Sequence, residues 1–124
     1  MQQMNINLSQ SIDMNQLTII EDPVIILQPS GHIYYCNEEF LGMAGTSSQN
    51  IYSRHIFDFI HREDAQPLLD IILSLMTTPS QYKIECTLRI KLSDGEALST
   101  TAVIKLVRRQ SQVIGIKIEM KAIH

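Results

Sequence analysis

The chain contains no tryptophan, two cysteines and few aromatic side chains among its 124 residues. The two cysteines, Cys36 and Cys86, are too few for a disulfide framework and lack the close spacing of metal-binding pairs. Nor is there a surplus of basic residues, since 10 Lys and Arg face 13 Asp and Glu, for a formal net charge of −3. This balance disfavours direct binding of nucleic acid and attraction to an anionic membrane.

Long apolar runs are also missing, and none approaches the roughly 20 residues that a membrane-spanning helix needs. The N-terminus lacks the basic-then-apolar pattern of a secretory signal. With no predicted membrane span, signal or disulfide framework, we expect a cytoplasmic protein. The chain is 44% hydrophobic and 19% charged, which is enough apolar material for one domain with a packed core.

The N-terminal part of the chain differs in composition from the rest. Residues 1–16 are polar and rich in Gln and Asn, so we expect an arm there and a domain over 17–124. The apolar spacing improves from Ile12 onward, which predicts a short helix at about 11–20. Pro23 would end that helix because a proline ring clashes with the preceding turn.

The next stretch predicts a hairpin followed by short helices. Val24–Leu27 is a β-branched run closed by a Pro-Ser-Gly turn, and His32–Cys36 follows as the second strand. Asn37 precedes two glutamates, which is typical of a helix N-cap followed by acids that suit the helix dipole.

A longer helix is predicted over Glu63–Met76, where apolar residues recur at i, i+3, i+4 and i+7. This spacing predicts that Leu68, Leu69 and Ile72 face a sheet. Thr77 and Thr78 then precede Pro79, which ends the helical pattern.

The last third predicts three strands in a meander, because apolar and polar residues alternate with period two. Gly95 in a Ser-Asp-Gly turn links the first pair. The buried row of the third strand is predicted to hold Ile114, Ile116, Ile118, Met120 and Ala122. Together with the hairpin and helices, the order predicts an α+β fold with an antiparallel sheet.

Three stretches resemble the PAS domain family. They are Asp22–Leu27, Ser30–Asn37 and Phe59–Asp64, which are similar to the family's first strand, its D-G-x-I-x-x-x-N motif and its hydrophobic pair before H-P-x-D. The resemblance covers about 17–123. It implies a five-stranded antiparallel sheet in the order 2-1-5-4-3, with short helices and one longer helix on one face.

The resemblance also implies a function. Members are sensory or regulatory modules for signal transduction, which act by small-ligand sensing, by protein–protein interaction or by both. We therefore expect an output domain after this chain, such as a kinase, diguanylate cyclase or transcription regulator, or a partner protein. Two alternatives are a ligand-free dimerisation module and a small stand-alone α+β enzyme such as an isomerase.

Cofactors known in the family can be compared with this sequence. Ile56 occupies the place of the reactive cysteine of flavin-binding members, and an aliphatic side chain cannot form the flavin adduct. The long helix Glu63–Met76 has no histidine to serve as an axial haem ligand, and the four histidines lack zinc-type spacing. Flavin adduct, haem and metal are therefore disfavoured, and an unidentified small apolar ligand is left open.

A ligand of that kind would contact side chains that are predicted to point between helices and sheet. We expect these to be Phe40, Phe57, Leu69, Ile72, Tyr82, Cys86, Leu88, Thr100 and Ile116. Asn37, Gly31 and Gly95 are expected to be structural. No catalytic residue is predicted, because the acid pairs lie at helix starts, where the helix dipole explains them.

The other face of the sheet is expected to be wet, yet it carries apolar side chains. Val103, Val107 and Val113 are predicted to form a patch there. The N-terminal helix, from the same chain or a neighbour, could cover this patch with Ile12, Leu17 and Ile20. Because twofold dimers are the commonest closed assembly, we expect a homodimer.

Overall fold

The computed structural model describes residues 21–123. This part of the chain forms five strands, three α-helices, α1 to α3, and two single 3-10 turns. In chain order the elements are β1 Val24–Leu27, β2 Ile33–Cys36, α1 Glu38–Ala44, α2 Ser48–Ile51, the 3-10 turns Ile56–Asp58 and Arg62–Asp64, α3 Ala65–Thr77, β3 Lys83–Lys91, β4 Ala97–Arg109 and β5 Gln112–Ala122. The predicted arm at 1–16 and helix at about 11–20 lie outside the described residues.

The strands form one sheet in the order β2-β1-β5-β4-β3, with every neighbouring pair antiparallel. This confirms the predicted fold class and strand order. The helices and 3-10 turns cover one face, which we call the inner face, and the opposite face is the outer face. Along β3 and β4 the predicted alternation is present, because Leu88 and Ile104 are buried while Lys83 and Glu85 are exposed.

Asn37 joins three segments at the start of the fold. Its Oδ1 accepts hydrogen bonds from the backbone N–H of Phe40, at 3.0 Å, and of Val24, at 3.0 Å. Its Nδ2 donates to the carbonyl oxygen of Asp22 at 2.9 Å. One side chain therefore caps α1 and also fixes the first residues of β1. The N-cap prediction accounts for the bond to Phe40 but not for the bonds to Val24 and Asp22.

Gly31 closes the β1–β2 hairpin in a backbone conformation that residues with a side chain rarely adopt, with φ of +93°. A Cβ built at this position would lie 2.5 Å from Nε2 of His55. His55 also fits tightly, because its Nδ1 accepts from the N–H of Phe57 and its Nε2 contacts the carbonyl oxygen of Ser30. The predicted structural role of Gly31 follows from both constraints.

A segment that we call the connector, residues 53–64, crosses the inner face from one sheet edge to the other. At the β2 edge the N–H of Ile33 donates to Arg54 and the N–H of Ile56 donates to Gly31. At the β3 edge the N–H of His61 donates to Arg89 at 2.8 Å. These hydrogen bonds satisfy part of each edge strand, which would otherwise expose its backbone.

One helical prediction is wrong. Leu68 and Ile72 of α3 are buried as expected, but Leu69 is 39% exposed. The buried positions of α3 are 68, 72 and 75, a narrow stripe, because the helix meets the sheet along a single line. Leu69 is one residue, or about 100°, round the helix from Leu68 and points away from that line.

The inward position of Tyr82 is also wrong, since this side chain is 73% exposed. The first cross-strand pair of β3 is Lys83 with Lys105. Tyr82 precedes it and follows a turn in which the N–H of Gln81 donates to the carbonyl oxygen of Thr78. Alternation places a side chain only where a neighbouring strand fixes the backbone, and Tyr82 lies before that point.

A bulge in β5 reverses two further predictions. Val107 pairs with Gly115 and Arg108 pairs with Val113, so Ile114 is an extra residue without a partner. Ile114 was predicted to be buried, but it is 48% exposed. Val113 was predicted on the outer face, but it shares a face with Arg108, on the opposite side from Val107. A one-residue insertion exchanges the faces of all residues beyond it.

Candidate interaction site

The space between the helices and the inner face is filled by aliphatic and aromatic side chains. Most of the predicted ligand contacts lie in this core. Phe40, Ile72, Leu88, Thr100 and Ile116 are buried there, and Phe57 and Cys86 are packed against it. Leu69 and Tyr82 are not part of it, for the reasons given above.

Polar groups in the core already have partners or are held neutral. Oγ1 of the fully buried Thr100 donates to the carbonyl oxygen of Leu88 at 2.8 Å. Burial raises the pKa of the thiols of Cys36 and Cys86, so both remain protonated and poorly reactive near neutral pH. The inner face therefore offers a ligand few unused polar groups.

An ion pair between the connector and β3 closes the inner face at one end. The carboxylate of Asp64 accepts from the backbone N–H of Arg89 at 2.8 Å and from its Nη2 at 2.7 Å. These hydrogen bonds hold the pKa of Asp64 below its usual range. The position of Asp64 at a predicted helix start is explained by the helix dipole, and nothing in the local sequence pattern points to a partner 25 positions away.

The outer face is organised in rows that run across the strands, since cross-strand partners share a face. One row, which we call the lysine row, consists of Lys83 on β3, Lys105 on β4 and Lys117 on β5, and continues to Ile26 on β1. The next row holds Glu85, Val103, Glu119 and Val24 in the same strand order. Acidic and basic side chains are therefore segregated into separate rows.

A groove of about 600 Å³ lies beside the lysine row. Its apolar lining comes from Ile26, Pro29, Val107 and the bulge residue Ile114, with Tyr34 at one side. We call it the outer groove. The bulge in β5 helps to form it, because it turns Ile114 outward beside Gly115, which has no side chain to fill the space.

A second, smaller groove of about 290 Å³ lies at the other end of β1, where the chain enters the sheet. We call it the entry groove. It is lined by Asp22, Val103 and Glu119 with polar neighbours. Of the predicted dimer contacts, Val103 borders the entry groove and Val107 borders the outer groove, while Val113 lies on the other side of the sheet. Ile12, Leu17 and Ile20 lie outside the described residues.

Two further features of residues 21–123 bear on function. Within them, no three His, Cys, Asp or Glu side chains are close enough together to hold a metal ion. None of the described helices has the length and apolar character needed to cross a bilayer.

Comparisons with known proteins agree with this architecture. The family model described as PAS domain matches residues 21–118. The PAS domain of a protein from Colwellia psychrerythraea has a TM-score of 0.74 at 15% identity, over 82% of this chain and 86% of that one. Drosophila melanogaster Cycle PAS-B with bound ethylene glycol has a TM-score of 0.71 at 14% identity, over 82% and 99%.

The structure of the blue-light photoreceptor Aureochrome1 LOV is also similar, with a TM-score of 0.69 at 14% identity, over 89% of this chain and 88% of that one. A comparison with curated protein sequences finds no match. The family match spans most of the chain and the fold agrees with it. This chain belongs to the PAS domain family, whose members are in general sensory modules without enzymatic activity.

Proposed function

We propose that this chain is a regulatory PAS module that acts in cytoplasmic signal transduction by protein–protein interaction through the outer face of its sheet. The observation that carries this proposal is the contrast between the two faces. The inner face is covered by the protein's own helices, whereas the outer face has two grooves and partly exposed valines. Exposed apolar surface of this kind commonly marks an interaction site.

Two partners are proposed for this face. The first is a second copy of the chain, which would dock the segment at about 11–20 at the entry groove, beside Val103. Ile12, Leu17 and Ile20 supply apolar side chains for such a contact. The second is an output domain, such as a kinase, diguanylate cyclase or transcription regulator, to which the module would be N-terminal.

Sensing of a small apolar ligand in the core is a weaker proposal. Cycle PAS-B is described with bound ethylene glycol, and the core contacts Phe40, Leu88 and Ile116 would meet a ligand here. Against it, the hydroxyl of Thr100 is already bonded within the sheet. We propose no flavin adduct, although the fold is shared with Aureochrome1 LOV, because Ile56 cannot form one. Neither haem nor a metal is proposed.

Enzymatic activity is not proposed either. Catalysis in the helix–sheet space would need an ionisable side chain there, and among the predicted ligand contacts only Tyr82 and Cys86 are ionisable. Tyr82 lies on the surface, and the pKa of Cys86 is raised by burial, which disfavours the nucleophilic thiolate.

The dimer is tested by light scattering of the full chain beside a variant with Ile12, Leu17 and Ile20 all changed to Ser. We expect a dimer for the full chain and a monomer for the variant. A matched control changes Ile6 and Leu8, in the arm, to Ser and should stay dimeric. A full chain that is monomeric at tens of micromolar contradicts the proposal, as does a triple variant that remains a dimer. Native mass spectrometry of the same samples would reveal a retained small molecule.

A further inference from the structure

We propose that the outer groove and the lysine row together bind an amphipathic helix of a partner protein, one that carries several acidic side chains beside its apolar stripe. This inference rests on the proposed use of the outer face for protein interaction and adds the chemistry of the partner. Helices that lay an apolar face into a groove are a common mode of peptide recognition.

The lysine row is electrostatically unfavourable in the isolated domain. Lys83, Lys105 and Lys117 are direct cross-strand neighbours, and like charges in directly opposite positions destabilise a sheet. Lys117 contacts Glu119 at 3.9 Å. Within residues 21–123, Lys83 and Lys105 form no ion pair. A ligand with negative charge over this row would remove the repulsion.

The position of the row next to the outer groove sets the spacing that a partner needs. Ile26 ends the lysine row and also lines the groove. Val107 is two residues beyond Lys105 on β4, so their same-face side chains lie about 7 Å apart. Adjacent positions on one helix face, i and i+4, are about 6 Å apart. An acidic side chain one turn from an apolar anchor would therefore reach a lysine.

Charge complementarity decides between candidate occupants. The chain as a whole has a net charge of −3, so this basic row is a local exception that favours an acidic ligand. The first 20 residues of the chain contain a single acid, Asp13. Arg109, two residues beyond Val107, is exposed and adds a fourth positive charge near the groove. One carboxylate does not match this number of positive charges. The N-terminal segment of the same chain or of a second copy is therefore a poor match for this half of the face.

Three helical peptides with one apolar stripe provide the test. Their flanking positions carry Glu, Gln or Lys, and fluorescence anisotropy measures the binding of each to the full chain. We expect the Glu peptide to bind about tenfold or more tightly than the Gln peptide at low salt, and the Lys peptide to bind most weakly. The preference should shrink as salt is raised.

Charge reversal at the centre of the row sharpens the test. Lys105→Glu leaves the row with a net charge of one and should therefore shrink the preference for the Glu peptide over the other two several-fold. It should also raise the midpoint of thermal unfolding, because Glu between two lysines replaces repulsion by attraction. The matched control is Lys91→Glu, the same change at the far end of β3, which should leave the preference for the Glu peptide unchanged. Ile114→Ser should weaken all three peptides alike by removing an apolar contact in the outer groove.

Several results would overturn the inference. These are equal binding of the three peptides, an undiminished preference for the Glu peptide in Lys105→Glu, a lowered unfolding midpoint in that variant, or an equal effect of Lys91→Glu. Vesicles of phosphatidylserine and single-stranded DNA are measured in parallel. If either binds with the Lys105 dependence expected of the Glu peptide, the row is a general polyanion site and the proposal fails. Light scattering of the same samples measures the oligomeric state, so that failure of the dimer proposal can be distinguished from failure of the peptide-binding proposal.

Discussion

The inner and outer faces of the sheet are built from the same strands, with alternating residues, yet they differ in how their side chains are partnered. Inward residues such as Ile104 and Ile118 are fully buried under the helices and the connector. Outward residues such as Lys105 and Lys117 sort into rows of like charge beside open grooves. A ligand could bind on the inner face only if the core repacked, whereas a partner can bind the outer face without disturbing the core.

The largest effect is expected on the inner face, from Ile104→Ala. Removing this fully buried side chain leaves a cavity under α3 and should lower the free energy of unfolding by about 2–5 kcal/mol. Val103→Ala, at the next residue on the outer face, is the matched control, and we expect it to cost about 1 kcal/mol or less. Urea denaturation measures both, and equal losses would contradict the assignment of the two faces.

An intermediate effect is expected from Asp64→Asn, which weakens the closure of the inner face. Asp64 is mostly buried and its carboxylate accepts three hydrogen bonds from Arg89. Losing its charge should lower the free energy of unfolding by about 1–3 kcal/mol at pH 7. The matched control is Glu63→Gln, because Glu63 is exposed and lies 3.7 Å from the same guanidinium. We expect a change within about 0.5 kcal/mol for it.

The same pair predicts a pH dependence with a definite sign. Because the pKa of Asp64 is lower in the folded state than its ordinary value of 3.8, its contribution is fully present above that value and is lost as pH falls through the folded pKa. The stability difference between wild type and Asp64→Asn should therefore shrink on acidification below about pH 4. A difference that is constant between pH 7 and pH 2 would contradict this role of the carboxylate.

The smallest effect is expected on the outer face, from Ile114→Ser. The alternation of β5 taken alone would make Ile114 a core residue, with a large loss on substitution. The bulge instead exposes it, so we expect a change in the free energy of unfolding within about 0.5 kcal/mol. Ile116→Ser, two residues along at a fully buried position, should lose several times more. Similar losses for the two variants would show that the bulge is not present in solution.

These positions show which parts of the fold could be predicted from the alternation of apolar and polar residues. Alternation predicted the faces of β3 and β4 because both strands pair without interruption over most of their length. It failed at Ile114 and Val113, since a bulge is decided by the opposing strand. It failed at Tyr82, which precedes the first pair.

Long-range contacts were the other gap. The N-cap role of Asn37 was predictable from the residues that follow it, whereas its bond to Val24 was not. The pairing of Asp64 with Arg89 depends on how α3 packs on the sheet. The lysine row was equally hidden, because three lysines on three strands become neighbours only when the register is known.

The connector has a geometric consequence for the whole sheet. Its bridges join His55 to His32 at the β2 edge and Ile60 to Ile90 at the β3 edge. In a flat sheet these points would lie at opposite corners, four inter-strand gaps and about eight residues of strand length apart, which amounts to roughly 32 Å. Five residues of chain reach at most about 18 Å, and the two bridges add about 5 Å each. The 3-10 turn at Ile56–Asp58 shortens that reach further.

The sheet must therefore curl, with the connector as the chord of an arc. The chord fixes how far the two corners can separate, so the curvature of the sheet cannot relax while both bridges hold. Breaking either bridge, at His32 or at Ile90, would remove one constraint on this curvature. A contact that disturbs a bridge at one edge would therefore bear on the curvature that shapes the outer face.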